Sequence, residues 1–145
     1  MALFNPSRDQ VRQFFFDAWA KFQRQQVLTD LETMAVGIVQ AHPEYHHVLD
    51  APERYLDQSY FPEMGETNPF LHMSLHLSVL EQVSIDQPPG IKAAYHALWR
   101  KHGDAVEAQH VLMDCLAEAI WQAQRTGAGL DAQAYAACIE AKARG

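Results

Sequence analysis

The sequence predicts an all-α fold, and three observations carry that prediction. No stretch alternates apolar and polar residues over the length of a strand. Apolar residues recur instead at i, i+3 and i+4 in several separate segments. Those segments are bracketed by residues that start and stop helices. At 145 residues, of which 48% are hydrophobic, the chain fits one domain around one core. The expectation is a single-domain helical bundle of five to seven helices, spanning residues 1–145, with one long irregular connection before a histidine-bearing helix.

Ser7 followed by Gln10 has the form of a capping box. Val11, Phe14, Phe15, Ala18 and Phe22 then recur at helical spacing, so a first helix is expected from Ser7 to about Arg24. Thr29 and Glu32 repeat the device ahead of an apolar stripe of Leu31, Met34, Ala35, Ile38 and Ala41, a second helix that reaches His42. Pro43 disfavours helical backbone at His42, so the chain should break there and restart through "PEYHHVLD". The stretch "DAPERYLDQSYFPEMGETN", Asp50 to Asn68, carries Pro52, Pro62 and Gly65 and allows only a short helix around Glu53 to Asp57. Connections this long usually serve a function.

Asn68 and Pro69 suit the first turn of the histidine helix, which should run to about Ser84 and end before "IDQPPG". Ile91, Ala94, Tyr95, Leu98 and Trp99 mark a fourth helix closed by Gly103. Asp104 with Glu107 opens a fifth, which continues to about Arg125 and stops at "TGAG". Asp131 starts a final helix.

Eleven basic against eighteen acidic side chains give a net charge of −7, and the basic residues form no stripe. Nucleic-acid binding is disfavoured. No apolar run approaches the ~20 residues of a membrane span. The start "MALFNPSRDQ" lacks the pattern of a secretory signal. These features imply a cytoplasmic protein with no membrane partner. Cys115 and Cys138 fall in different helices of a chain that reads as cytosolic, so two buried free thiols are expected rather than a disulfide.

The segment "NPFLHMSLHLSVLEQ" places His72 and His76 four residues apart in a largely apolar run. At about 100° per residue, Ser74, Ser78, Glu81 and Gln82 collect on one side, the expected solvent face. Both imidazoles then point inward. A buried imidazole must recover hydrogen bonds or a metal bond for its ring nitrogens. Two readings follow: ordinary neutral core histidines bonded to protein oxygens, or an HxxxH pair presented to one cation.

On the fifth helix Glu107, His110, Asp114 and Glu118 form one stripe, and "EAQH" has the Glu-x-x-His form found in dimetal helical bundles. Ala108, Leu112, Leu116, Ala119, Ile120 and Ala123 define an apolar arc opposite, so the stripe is either solvated or an internal polar site. The candidate metal ligands are therefore His72, His76, His110, Asp114 and Glu118. His42, with His46 and His47, clusters at the Pro43 break; it is either a polar helix end or a third side of the pocket.

The strings "FNPSRDQVRQFFFDAW", "HPEYH", "GETNPFLHMSLHLSVLEQVSIDQPPGI" and "AQHVLMDCLAEAIWQAQR" resemble a bacterial family of small single-domain proteins, a domain of unknown function of the eighteen-forty-one type. The resemblance covers most of the chain and implies no activity. More distant sequences are similar in an order matched here by His72, His76, Gln82, Pro88 or Pro89, Gly103 and His110, which draws His110 toward the pair.

Two functions compete on this reading. One is a metal-binding helical protein holding zinc, iron or manganese, with catalysis left open. The other is an interaction module whose Tyr55, Tyr60, Phe61 and Met64 dock a protein partner or a second copy, without metal. No phosphate-binding loop, G-x-S-x-G or C-x-x-C motif supports another enzyme class.

Overall fold

The computed structural model of the chain describes residues 8–60 and 67–145. The expected Ser7 cap and the loop residues Phe61 and Met64 lie outside these. Among the described residues there are eight α-helices and no strand, so the fold is all-α. The count exceeds the expected five to seven because two helices are single turns.

The chain divides into two compact units, Met1–Ser74 and Leu75–Gly145. In the first, α1 (Arg8–Gln23) packs on α2 (Asp30–Ala41). A 3₁₀ turn (Pro43–Tyr45) follows, then α3 (His46–Leu49) and α4 (Pro52–Tyr55). The start of α2 is fixed as its sequence implies. Thr29 accepts from the Glu32 amide at 3.1 Å, and Glu32 accepts from the Thr29 amide at 2.9 Å. The core is aromatic and aliphatic: Phe15, Phe16 and Trp19 of α1 with Ile38 and Val39 of α2 are all buried. Phe70 meets Phe16 edge-to-face at 5.5 Å.

Arg12 lies within this apolar face with 2% of its surface exposed. One guanidinium nitrogen, Nη1, donates to the carbonyls of Tyr55, Leu56 and Gln58 at 3.1, 3.0 and 2.6 Å. The plane lies over the Phe70 ring, 4.7 Å from its centroid. A planar, weakly hydrated cation can thus close the end of α4 from inside the unit. Burial, then the neighbouring Arg8 charge, lowers its pKa from the ordinary value. Tyr55 and Tyr60, candidates either to dock a partner or to cover the core, are half-buried.

Helix α5 (Pro69–Ile85) begins in the first unit and ends in the second. Asn68 caps it, its side chain accepting from the Phe70 and Leu71 amides at 2.9 and 3.2 Å. Glu81 is exposed as expected, whereas Ser74 and Ser78 are half-buried. Apolar side chains surround the whole helix, from exposed Leu71 to fully buried Met73 and Val79, so no wide polar face exists. Ser74 donates its hydroxyl to the Phe70 carbonyl at 2.6 Å, which reduces the cost of its burial.

In the second unit α6 (Ile91–His102), α7 (Ala105–Thr126) and α8 (Ala132–Arg144) pack on one another. Gly103 ends α6 at φ +70°, the left-handed region open to glycine without a Cβ penalty, and its amide bonds back to the Trp99 carbonyl. Asp104 caps α7 and Asp131 caps α8. Tyr135 donates its hydroxyl to Gln82.

Cys115 of α7 and Cys138 of α8 form a disulfide, with Cα atoms 5.8 Å apart. This overturns the expectation of two free thiols. Each cysteine belongs to its own helix's packed side, and the packing of α7 on α8 brings those sides together. No described helix is long and apolar enough to cross a membrane.

Candidate metal centre

Four histidines carry the site. His42 stands at the C-terminal end of α2, where Pro43 stops the helix, and only 4% of it is exposed. Its Nδ1 lies 2.8 Å from the Ile38 carbonyl. A carbonyl can only accept, so Nδ1 carries the hydrogen and Nε2 of the neutral ring keeps the lone pair. The ring stacks on Tyr45, centroids 5.3 Å apart and planes within 9°. Burial, with a smaller contribution from the Glu44 charge, raises the Tyr45 phenol pKa from its ordinary value. Tyr45 is therefore a neutral wall of the site.

His72, in the first turn of α5, brings its Nε2 to 3.1 Å from Nε2 of His42, with ring planes at 69°. Two imidazole nitrogens so close share either a proton or a cation. Ligands at Zn–N distances of about 2.0–2.1 Å across a tetrahedral angle stand roughly 3.3–3.4 Å apart. The observed separation is near that value. His46 is occupied otherwise: its Nε2 donates to the Val39 carbonyl at 3.0 Å, and its ring packs on Trp19.

His76 is 1% exposed, and its Nε2 hydrogen-bonds to the side-chain oxygen of Gln109 on α7. The Gln109 amide nitrogen donates in turn to the Tyr95 hydroxyl of α6 at 3.1 Å. His110, half-buried one residue further along α7, meets the His76 ring edge-to-face with centroids 5.2 Å apart. Helix α5 carries one histidine of each pair. An i, i+4 spacing sets His72 and His76 on one face, Cβ atoms about 5–6 Å apart.

Among the described residues, His42 with His72 in the first unit and His76 with His110 in the second are imidazoles that could hold a metal ion. Three of these histidines were singled out from sequence. For His42 the sequence alone allows either a polar helix end or a third side of the pocket, because both fit its place at the end of the second helix's stripe. Asp114 and Glu118 are outside the cluster: both are exposed on α7, where Glu118 accepts from Gln122 at 3.1 Å. Gln109 was missed. Its adjacency to His110 was visible, but the amide's role depends on α6 and α7 packing together.

A family model described as a domain of unknown function, DUF1841, matches residues 7–141. The chain belongs to that family. No curated protein and no solved structure matches the chain. The family's description carries no reaction, so chemistry must be argued from the donors. Among the described residues, those donors are imidazole nitrogens. Such a set suits zinc, ferrous iron, nickel or copper better than the hard cations that prefer oxygen.

Proposed function

We propose that this protein binds a divalent transition metal through His42, His72, His76 and His110, with zinc or ferrous iron foremost because imidazole is a common ligand of both. The observation that carries the reading is the protein oxygen that holds one ring nitrogen of each of the two most buried histidines among the described residues. His42 Nδ1 is tied to a backbone carbonyl and His76 Nε2 to an amide oxygen. Metal-ligating histidines are held in this way, with the second nitrogen oriented by a protein oxygen and the first left as the donor.

Metal choice decides what the site can do. Four imidazoles complete a tetrahedral zinc sphere, and such closed sites are structural. Ferrous iron accepts further ligands beyond four, so the same residues would leave positions for a small molecule. Exposed Asp114 and Glu118 have no part in this ligand set.

The test is the melting temperature of chelator-stripped protein with and without zinc, ferrous iron or manganese, at pH 8 and pH 5.5, beside a His72→Ala, His76→Ala double variant. A ligand that binds only the folded state adds about 2.7 kcal/mol at a hundredfold excess over its dissociation constant. Protons compete for imidazole nitrogens as pH falls through the usual histidine range near ~6.5, so stabilisation should be larger at pH 8 and absent in the double variant. Equal melting temperatures with and without every metal at pH 8 would refute the proposal.

A further inference from the structure

We infer that Gln109 is a positioning residue that selects the metal-binding nitrogen of His76, an inference that rests on the metal reading above. The chain of contacts is short and lies within the second unit. The Tyr95 hydroxyl accepts from the Gln109 amide nitrogen at 3.1 Å, which turns the amide oxygen toward Nε2 of His76. An amide oxygen can only accept. His76 Nε2 therefore carries the hydrogen, and Nδ1 holds the lone pair that meets the cation.

His42 reaches the opposite tautomer by a different route. Its Nδ1–H is fixed by the Ile38 carbonyl, which presents Nε2. A backbone carbonyl cannot be reversed, whereas a side-chain amide can. Tyr95 supplies what the amide itself lacks. It is only 8% exposed, and its ring is held against Trp99 with centroids 5.6 Å apart, so its hydroxyl oxygen stays in place to accept from the Gln109 amide nitrogen, as the 3.1 Å contact shows. The assignment has two parts: Tyr95 orients Gln109, and Gln109 orients His76. Loss of Gln109 should release His76 to sample both tautomers and should weaken the metal by the ten- to hundredfold usual for such supporting groups, and loss of the Tyr95 hydroxyl should do so to a smaller extent.

The experiment uses the full chain. Long-range proton–nitrogen correlation spectra of stripped protein at pH 8 read the His76 tautomer directly, without any metal. Cobalt(II) titration followed by visible absorption reads affinity. The variants are Gln109→Leu, Gln109→Glu and Tyr95→Phe. Wild type should show Nε2–H at His76. Gln109→Leu should show mixed tautomers and ten- to hundredfold weaker cobalt binding, and Tyr95→Phe a smaller loss. Gln109→Glu still offers an acceptor oxygen to Nε2–H and should restore both signals, which separates positioning from packing should the leucine variant fold poorly.

A wild-type Nδ1–H tautomer, or unchanged tautomer and cobalt affinity in a folded Gln109→Leu, would overturn the inference. Wild-type Nε2–H with no cobalt binding in any variant would instead overturn the metal reading. In that case the tautomer assignment stands, and its role in metal binding falls.

Discussion

Reducing the Cys115–Cys138 disulfide should lower the free energy of unfolding by about 3 kcal/mol. The two cysteines are 23 residues apart in sequence, and a crosslink of that span removes chain entropy from the unfolded state worth about 3.4 kcal/mol at 25 °C. Little should offset it in the folded state. Cys115 is 1% exposed, and a buried thiol packs as a small apolar group. Most of the loss therefore acts through the unfolded chain. With a urea slope of about 2 kcal/mol per molar, the unfolding midpoint should fall by roughly 1.5 M. The assay compares oxidised and fully reduced protein by circular dichroism in chelator, so that no metal binds the freed thiols, with reduction verified by thiol titration. An unchanged midpoint in fully reduced protein would refute the entropy argument. Two free thiols per chain in protein purified without reductant would refute the pairing of α7 with α8 at these positions.

Two further outcomes follow from buried polar groups. Burial pushes the Tyr135 phenol up to about 12, while in the unfolded chain it titrates near ~10, so the stability it contributes is complete below pH ~10 and is lost as pH rises toward 12. Tyr135→Phe, which leaves Gln82 without its donor, should cost about 1 kcal/mol at pH 8; the gap from wild type should narrow between pH 9.5 and 11.5, and a constant gap would show that the phenol is not held neutral. Arg12→Met should cost about 2–3 kcal/mol by leaving the carbonyls of Tyr55, Leu56 and Gln58 short of a donor. Arg12→Lys should recover only part of this, because an ammonium cannot stack on Phe70; an unfolding free energy from chemical denaturation within about 0.5 kcal/mol of wild type for Arg12→Met would discard the clamp.

The sequence by itself determined whatever is decided within a few residues along the chain. Thr29 with Glu32, Asn68, Asp104 and Asp131 start helices, because the first amides of a helix lack internal acceptors and a nearby side-chain oxygen supplies one. Gly103 and Gly127 end helices because they accept the left-handed backbone. The HxxxH spacing is local in the same sense, and it put His72 and His76 on one face before any packing was known. Tertiary structure alone decided which faces meet. The carbonyls that Arg12 meets, those of Tyr55, Leu56 and Gln58, lie far from it in sequence, and Cys115 reads as a buried free thiol until α8 brings Cys138 alongside. Helix α5 hid its polar side for a related reason: with apolar residues all round, its periodicity gave no direction for Ser74 and Ser78. At the candidate site, sequence supplied the imidazoles and tertiary packing supplied their hydrogen-bond partners. The lone pair a histidine offers depends on which of its nitrogens a distant oxygen occupies, as Gln109 does for His76.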